Sequence, residues 1–234
     1  MNLGLLADIH GNHCALRAVL DFLNCRVEKI LCAGDWVGYY PFARECLALW
    51  DPAKMISVQG NHDHALLQAR SGDAIAGSYE KRYGSGLRRS FSTLSSAQLD
   101  LLASWDPTAH LCLEGVSILM VHGAPWDLFE GRVYPDFSDW DRFETVSEDI
   151  IVMGHTHYPL SIQHGGKMIL NPGSVGQPRN EPGPWAFCAE LDLKRRQVTQ
   201  HRIAYDPSEI IVDARNHHDS GTDLSKYFQE RVRQ

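Results

Sequence analysis

No apolar run in this 234-residue chain approaches the roughly 18 to 20 residues that a membrane span requires. The longest, around Val116 to Val121 and Ile150 to Met153, are strand-sized, so no membrane partner is expected. No basic residue precedes Leu3 to Ala7, and Asp8 and His10 interrupt that stretch too early for a secretory leader, which makes the cytoplasm the expected compartment. Basic residues are in deficit. With 22 Lys and Arg against 29 Asp and Glu, the net charge of −7 argues against a general nucleic-acid binder, whose affinity rests on clustered cations releasing counterions, while leaving room for a local basic pocket. The cysteines (Cys14, Cys25, Cys32, Cys46, Cys112, Cys188) contain no C-x-x-C pair, so neither a zinc ribbon nor a disulfide scaffold is expected, but free and mostly buried thiols. No Pro-, Gly- or Ser-rich linker divides the chain, and one domain over 1–234 is expected, with its motif core in 1–180 and a C-terminal hairpin and helices in 185–234. What is abundant is histidine: there are 12, many beside Gly, Asp or Asn at the ends of apolar runs.

The apolar run Leu3 to Ala7 ends in a polar loop and is followed by Ala15, Leu16, Val19, Leu20 and Leu23 at helical spacing, with Asn12 as N-cap. The pattern recurs twice. Lys29 to Ala33 precedes a loop to Pro41 and a helix over Phe42 to Trp50; Met55 to Gln59 precedes the loop Gly60 to Asp63 and a helix opening at His64. Alternating β and α elements predict parallel strands whose carboxyl ends gather ligands. Residues 72–105 read as broken helix, with Ser95 or Ser96 capping its last part. Beyond them, hairpins are expected across Glu114-Gly115, His164-Gly165-Gly166 and Lys194 to Gln197, making the second half largely antiparallel. Helices over Pro207 to Arg215 and Leu224 to Arg233 close the chain. Two sheets packed face to face with helices outside is the expected α/β architecture.

Five polar segments end these strands. Asp8-Ile9-His10 places a carboxylate and an imidazole two residues apart, which in extended chain points both the same way. Gly34-Asp35 follows the second strand, Gly60-Asn61-His62-Asp63 the third, His122-Gly123 the run Val116 to Val121, and Gly154-His155-Thr156-His157 the strand at Met153. Any one of these histidines reads most simply as a hydrogen-bonded strand-end residue. Five polar strand ends together read as a site for a transition metal, because mixed imidazole, carboxylate and amide donors suit manganese, iron, zinc, nickel or cobalt rather than calcium.

In this order the segments resemble the calcineurin-like metallophosphoesterase superfamily, whose pattern is D-x-H, G-D-x-x-G, G-N-H-[DE], a lone His-Gly, and G-H-x-H. Asn171-Pro172-Gly173-Ser174 resembles the N-P-G-S loop of its small bacterial phosphodiesterase-like branch. The resemblance implies a four-layer αββα sandwich of two mixed β-sheets flanked by helices, holding two divalent metal ions. It assigns Asp8, His10 and His157 to one ion, Asn61, His122 and His155 to the other, and Asp35 to both. The expected reaction is in-line attack on phosphorus by a hydroxide held between the ions, with His62 as general acid and Asp63 orienting it.

The chain departs from the superfamily's protein phosphatases, which continue G-D-x-V-D-R-G where it reads Gly34-Asp35-Trp36-Val37-Gly38-Tyr39-Tyr40. Losing that Asp and Arg argues against a phosphoprotein substrate. The expected partner is a small phosphate ester, a nucleotide among the candidates; the oligomeric state, homo-oligomer included, is left open. Phosphodiester hydrolysis is favoured, with a phosphomonoesterase or dinucleoside polyphosphate hydrolase as alternatives and a noncatalytic metal-binding scaffold as a remote one. Arg179 is a candidate phosphate clamp. The basic pairs Lys81-Arg82 and Arg88-Arg89 read as solvated surface, and Trp36, Tyr39 and Tyr40 are candidates to line a pocket for a base.

Overall fold

In a computed structural model, the structure describes residues 1–70, 79, 83–181 and 183–217. Among the described residues ten strands form two five-stranded sheets. Strands β1 (Asn2–Leu6), β2 (Lys29–Cys32) and β3 (Met55–Ser57) run parallel, and β9 (Trp185–Asp192) and β10 (Gln197–Ala204) extend that sheet antiparallel beside β1 in the order β10-β9-β1-β2-β3. The second sheet contains β4 (Thr108–Leu113), β5 (Val116–Val121), β6 (Ile150–Val152), β7 (Pro159–His164) and β8 (Lys167–Pro172), in the order β4-β5-β6-β8-β7.

Period-two alternation sorts each strand's side chains between two cores. Leu3, Leu5, Leu31, Ile118, Met120, Ile150, Val152, Met168 and Leu170 meet between the sheets. Leu6, Ile30 and Cys32 face the other way, onto helices α1 (His13–Leu23), α2 (Ala43–Leu47), α3 (Asn61–Arg70), α4 (Gly86–Thr93), α5 (Ser96–Ala103) and α6 (Ser208–His217). On the second sheet Leu119, Val121, Ile151 and Ile169 pack under Trp126, Phe137, Phe143 and Trp140. The expected four layers are present, the fourth being a 3-10 helix (Trp140–Thr145) and an aromatic loop. Strands buried on both faces explain why β5, β6 and β8 read as continuous apolar runs. Among the described residues no helix is long and apolar enough to cross a membrane.

Several expectations need correction. The second half is largely antiparallel, with hairpins β4–β5, β7–β8 and β9–β10 where they were expected, but not throughout: β5, β6 and β8 are mutually parallel, and the β9–β10 hairpin joins the first sheet. Hydrophobic period identifies strands but not their partners, and the 28 residues between β5 and β6 (122–149) give ample length for a crossover. Helix α3 starts at Asn61 rather than His64, because Asp63 at its third position reaches back to the Gly60 N–H (3.0 Å) and Asp35, from a distant loop, accepts the His62 N–H (2.8 Å). Trp36 and Tyr40 are fully buried core, Trp36 donating to Ser57 Oγ at 2.8 Å, so neither lines a pocket. Of the thiols, Cys32, Cys46 and Cys188 are buried, but Cys25 and Cys112 are exposed. Arg89 is not simply solvated: it grips Asp213 of α6 with two hydrogen bonds. Lys81, Arg82 and the helix expected over 224–233 lie outside the described residues.

Candidate metal centre

All the polar segments reach one place, the shared carboxyl edge of β1, β2, β3, β5 and β6. Extended geometry does not aim them. Of the eight non-glycine residues with positive φ among those described, five are Asp8 (56°), His10 (54°), Asp35 (60°), His155 (66°) and His157 (66°). Left-handed backbone costs on the order of 1 kcal/mol or more at each such residue and persists where the surroundings hold it; here it turns side chains beyond the strand ends into a common centre. The Asn-Pro-Gly-Ser loop braces this arrangement: Ser174 Oγ donates to the Asp8 carbonyl (2.8 Å), Gly176 N to the same oxygen (2.9 Å) and Asn171 Nδ2 to the Gly154 carbonyl (2.6 Å).

The histidines are oriented from behind. Nδ1 of His10, His122 and His157 faces the carbonyl oxygens of Val37 (3.2 Å), Ala33 (2.7 Å) and Gln177 (2.6 Å). A carbonyl only accepts, so each Nδ1 carries a proton, and each Nε2 presents a lone pair inward when its ring is neutral. Nε2 of His10 and His157 lie 3.0 Å apart, with Asp8 Oδ1 at 3.8 and 3.5 Å respectively. Nε2 of His122 lies 3.0 Å from Asn61 Oδ1, whose other neighbour is His155 Nδ1 at 3.2 Å. Asp35 Oδ2 stands between the groups, 3.8 Å from His10 Nε2 and 3.2 Å from His122 Nε2. His62 Nε2 is 4.0 Å from the same oxygen.

Acceptor atoms crowded in this way repel one another unless positive charge joins them. Asp8 Oδ2 is buried and finds no hydrogen-bond partner among the described residues, leaving a lone pair directed into the cluster. Burial pushes the Asp8 carboxyl up to about 7, with Asp35 adding to the rise. Burial also disfavours ionised Asp35, but His122 and His62 outweigh it and hold the carboxyl well below its usual range. Burial would lower His122 too, yet Asp35 lifts it to about 10, so the cluster draws in cations strongly. His10 and His157 are held well below 6.5, first by burial and then by His62 and Arg179 respectively, and His155 falls to about 3 through burial and His122, which keeps all three rings neutral and able to ligate. Neutral imidazoles, buried carboxylates and an amide oxygen form a donor set that fits divalent transition metals.

Asp63 does not orient the His62 ring. Its two oxygens accept the N–H groups of Asp35 (2.9 Å), Trp36 (3.0 Å), Val37 (3.1 Å) and Gly60 (3.0 Å), which uses the acceptor capacity of a carboxylate and ties the Asp35 loop to the start of α3. The same junction has no room for a side chain, since a Cβ on Gly60 would lie 2.0 Å from Asp35 Oδ1. Gly60→Ala should therefore displace Asp35 while every candidate ligand remains. Phosphoesterase activity is expected to fall by at least about 100-fold, with reduced metal content by elemental analysis; unchanged content and rate would contradict it.

A cavity of about 210 Å³ opens over the cluster, lined by Asp35, Asn61, His62, His155 and His157 and, at its walls, Tyr39, Tyr83, Tyr134, Arg132 and Arg179. Arg179, which lines the cavity, donates to the Tyr39 hydroxyl at 3.0 Å. Gly38 leaves space that the rings of His10 and His62 occupy: a Cβ there would lie 2.5 and 2.6 Å from their Nδ1 atoms. No signal in the sequence marks Arg132, Tyr134 or Tyr83, which reach the cavity from segments without a motif, Arg132 and Tyr134 from a loop and Tyr83 from helical chain.

The fold and this cluster define a protein of the metal-dependent phosphoesterase class. Residues 1–194 match the family model of the calcineurin-like phosphoesterase superfamily domain, and the chain belongs to that superfamily. It is 31% identical over 226 residues to the uncharacterised protein MJ0912 of Methanocaldococcus jannaschii, covering 87% of this chain and 88% of that one. It is similar in structure to a metallophosphoesterase from Sphaerobacter thermophilus (TM-score 0.79, 27% identity, 97% and 98% of the two chains). The hypothetical protein PH1004 of Pyrococcus horikoshii OT3 shares the fold at TM-score 0.80 and 19% identity, with 97% of each chain covered.

Proposed function

We propose that the chain is a dinuclear-metal-dependent phosphoesterase acting on a small phosphodiester. The observation that carries this reading is Asp35 Oδ2, set between the Asp8–His10–His157 group and the Asn61–His122–His155 group. Asp8, His10 and His157 would hold one divalent ion, Asn61, His122 and His155 the second, and Asp35 both. Two such ions would lower the pKa of water from about 15.7 towards about 7 and stabilise charge growing on phosphoryl oxygens.

The remaining work falls to side chains around the cavity. His62 sits in the first turn of α3, its ring fixed among Tyr39, Tyr79 and Tyr83 with centroids 5.2, 5.1 and 4.9 Å away. A proton on its Nε2, the nitrogen on the Asp35 side, can pass to a departing alkoxide. A cavity of about 210 Å³ is smaller than the usual enclosure of a drug-sized ligand. It suits a phosphoryl group with the ester substituents projecting outward past the tyrosines. Arg179 supports binding of a nonbridging oxygen. Arg179→Ala is expected to raise KM by about 10-fold or more, the worth of one charge-assisted hydrogen bond, with a smaller change in kcat. Steady-state kinetics in which kcat alone falls would place the guanidinium elsewhere in the reaction.

Hydrolysis of bis-p-nitrophenyl phosphate and p-nitrophenyl phosphate, assayed with manganese beside elemental analysis of protein purified without chelator, tests the reading. Faster diester turnover with two ions per chain is the expected result. Faster monoester turnover would make it a phosphomonoesterase, and two ions without turnover on a broad ester panel, dinucleoside polyphosphates included, would make it a binding scaffold.

A further inference from the structure

The second half-site contains an ambiguity that a carboxylate would not have. Asn61 can ligate only through Oδ1, yet a half-turn of its amide would present Nδ2 to His122 Nε2 and His155 Nδ1 instead. With their lone pairs taken by an ion, those nitrogens would no longer hold either end of the amide. Glu130 does choose. Its Oε1 lies 3.3 Å from Asn61 Nδ2, and a carboxylate, which only accepts, is satisfied by that end of the amide alone.

The loop holds Glu130 in place. Its N–H donates to Asp127 Oδ1 (3.1 Å), and the Asp127 carbonyl accepts Ala124 N (2.9 Å) and Gly131 N (3.1 Å), closing a tight turn directly after His122-Gly123. Cβ atoms on Gly123 or Gly131 would lie 2.6 Å from the Asp127 carbonyl oxygen, so the turn sits hard against the strand end that carries His122. Arg132 holds the second carboxylate oxygen, Nη2 to Oε2 at 3.4 Å, while its Nε reaches His155 Nε2 at 3.2 Å.

We propose that Glu130 is a positioning residue for the second metal ion: it locks the Asn61 amide with Oδ1 inward, and Arg132 braces it. The proposal rests on the dinuclear reading above. An outer partner of this kind is worth about 10- to 100-fold in metal affinity. A carboxylate at position 61 has two equivalent oxygens and needs no such lock, which separates positioning from a general effect of charge or folding.

The test is calorimetric titration of the full chain, stripped with chelator and refilled with Mn²⁺, as wild type, Glu130→Ala, Asn61→Asp and the double variant. With Asn61 intact, Glu130→Ala is expected to weaken one of the two ions about 10- to 100-fold and leave the other unchanged. In the Asn61→Asp background the same change should cost much less. A difference between backgrounds of at least about threefold, beyond ordinary additivity, supports the proposal, and a smaller one overturns it. Wild-type protein taking up fewer than two ions would overturn the dinuclear reading itself, and this proposal with it.

Discussion

Asp35→Asn is expected to reduce phosphoester hydrolysis by more than about 1,000-fold, a loss of over ~4 kcal/mol of transition-state stabilisation, and to lower metal content from two ions per chain to one or none. The amide keeps the shape of the side chain, and its oxygen can still accept the His62 N–H, so the start of α3 is preserved. What it lacks is the negative charge facing both His10 and His122. Binding to the native state alone stabilises it with the logarithm of ligand excess, about 4.1 kcal/mol at 1,000 times Kd. Wild type should thus gain melting temperature on adding Mn²⁺, and Asp35→Asn should gain much less. Full occupancy and full turnover in this variant would dismiss Asp35 as the shared ligand.

His62→Ala has the second largest expected effect, and its pattern differs. Both ions should stay, since the side chain is not among the proposed ligands and its backbone N–H still caps onto Asp35. Turnover of an ester with a poorly leaving alkoxide should fall by about 100- to 10,000-fold, the range for removal of a general acid. A p-nitrophenolate ester should lose less, because that group departs without a proton. Equal losses on both substrates would assign His62 to positioning, and no loss on the alkyl ester would remove it from the chemistry.

How much of this was legible beforehand differs from residue to residue. Asp8, Asp35, Asn61, His122, His155 and His157 could be picked out because each closes an apolar run, and apolar runs that become buried strands can be read from composition alone. The separate roles of His155 and His157 followed from the resemblance, and the structure sets them beside Asn61 and Asp8 respectively. Asp63 was identified as belonging to the site but given the wrong partner, since its four backbone donors come from two loops brought together only on folding. Glu130 and Arg132 left no trace, because charged residues in an irregular loop look alike until their neighbours are known.

The linear order of residues by itself determined the strands, the βα units, the polar strand ends and the chemical type of the donors, because burial period and side-chain chemistry are local properties. Tertiary structure alone decided that the β9–β10 hairpin joins the first sheet, that left-handed backbone rather than extended chain aims the candidate ligands, and that Trp36 and Tyr40 pack inside while Tyr39 meets the cavity. These outcomes depend on which surfaces meet across long separations in the chain. A pattern read along the chain says which face will be buried, but not what buries it.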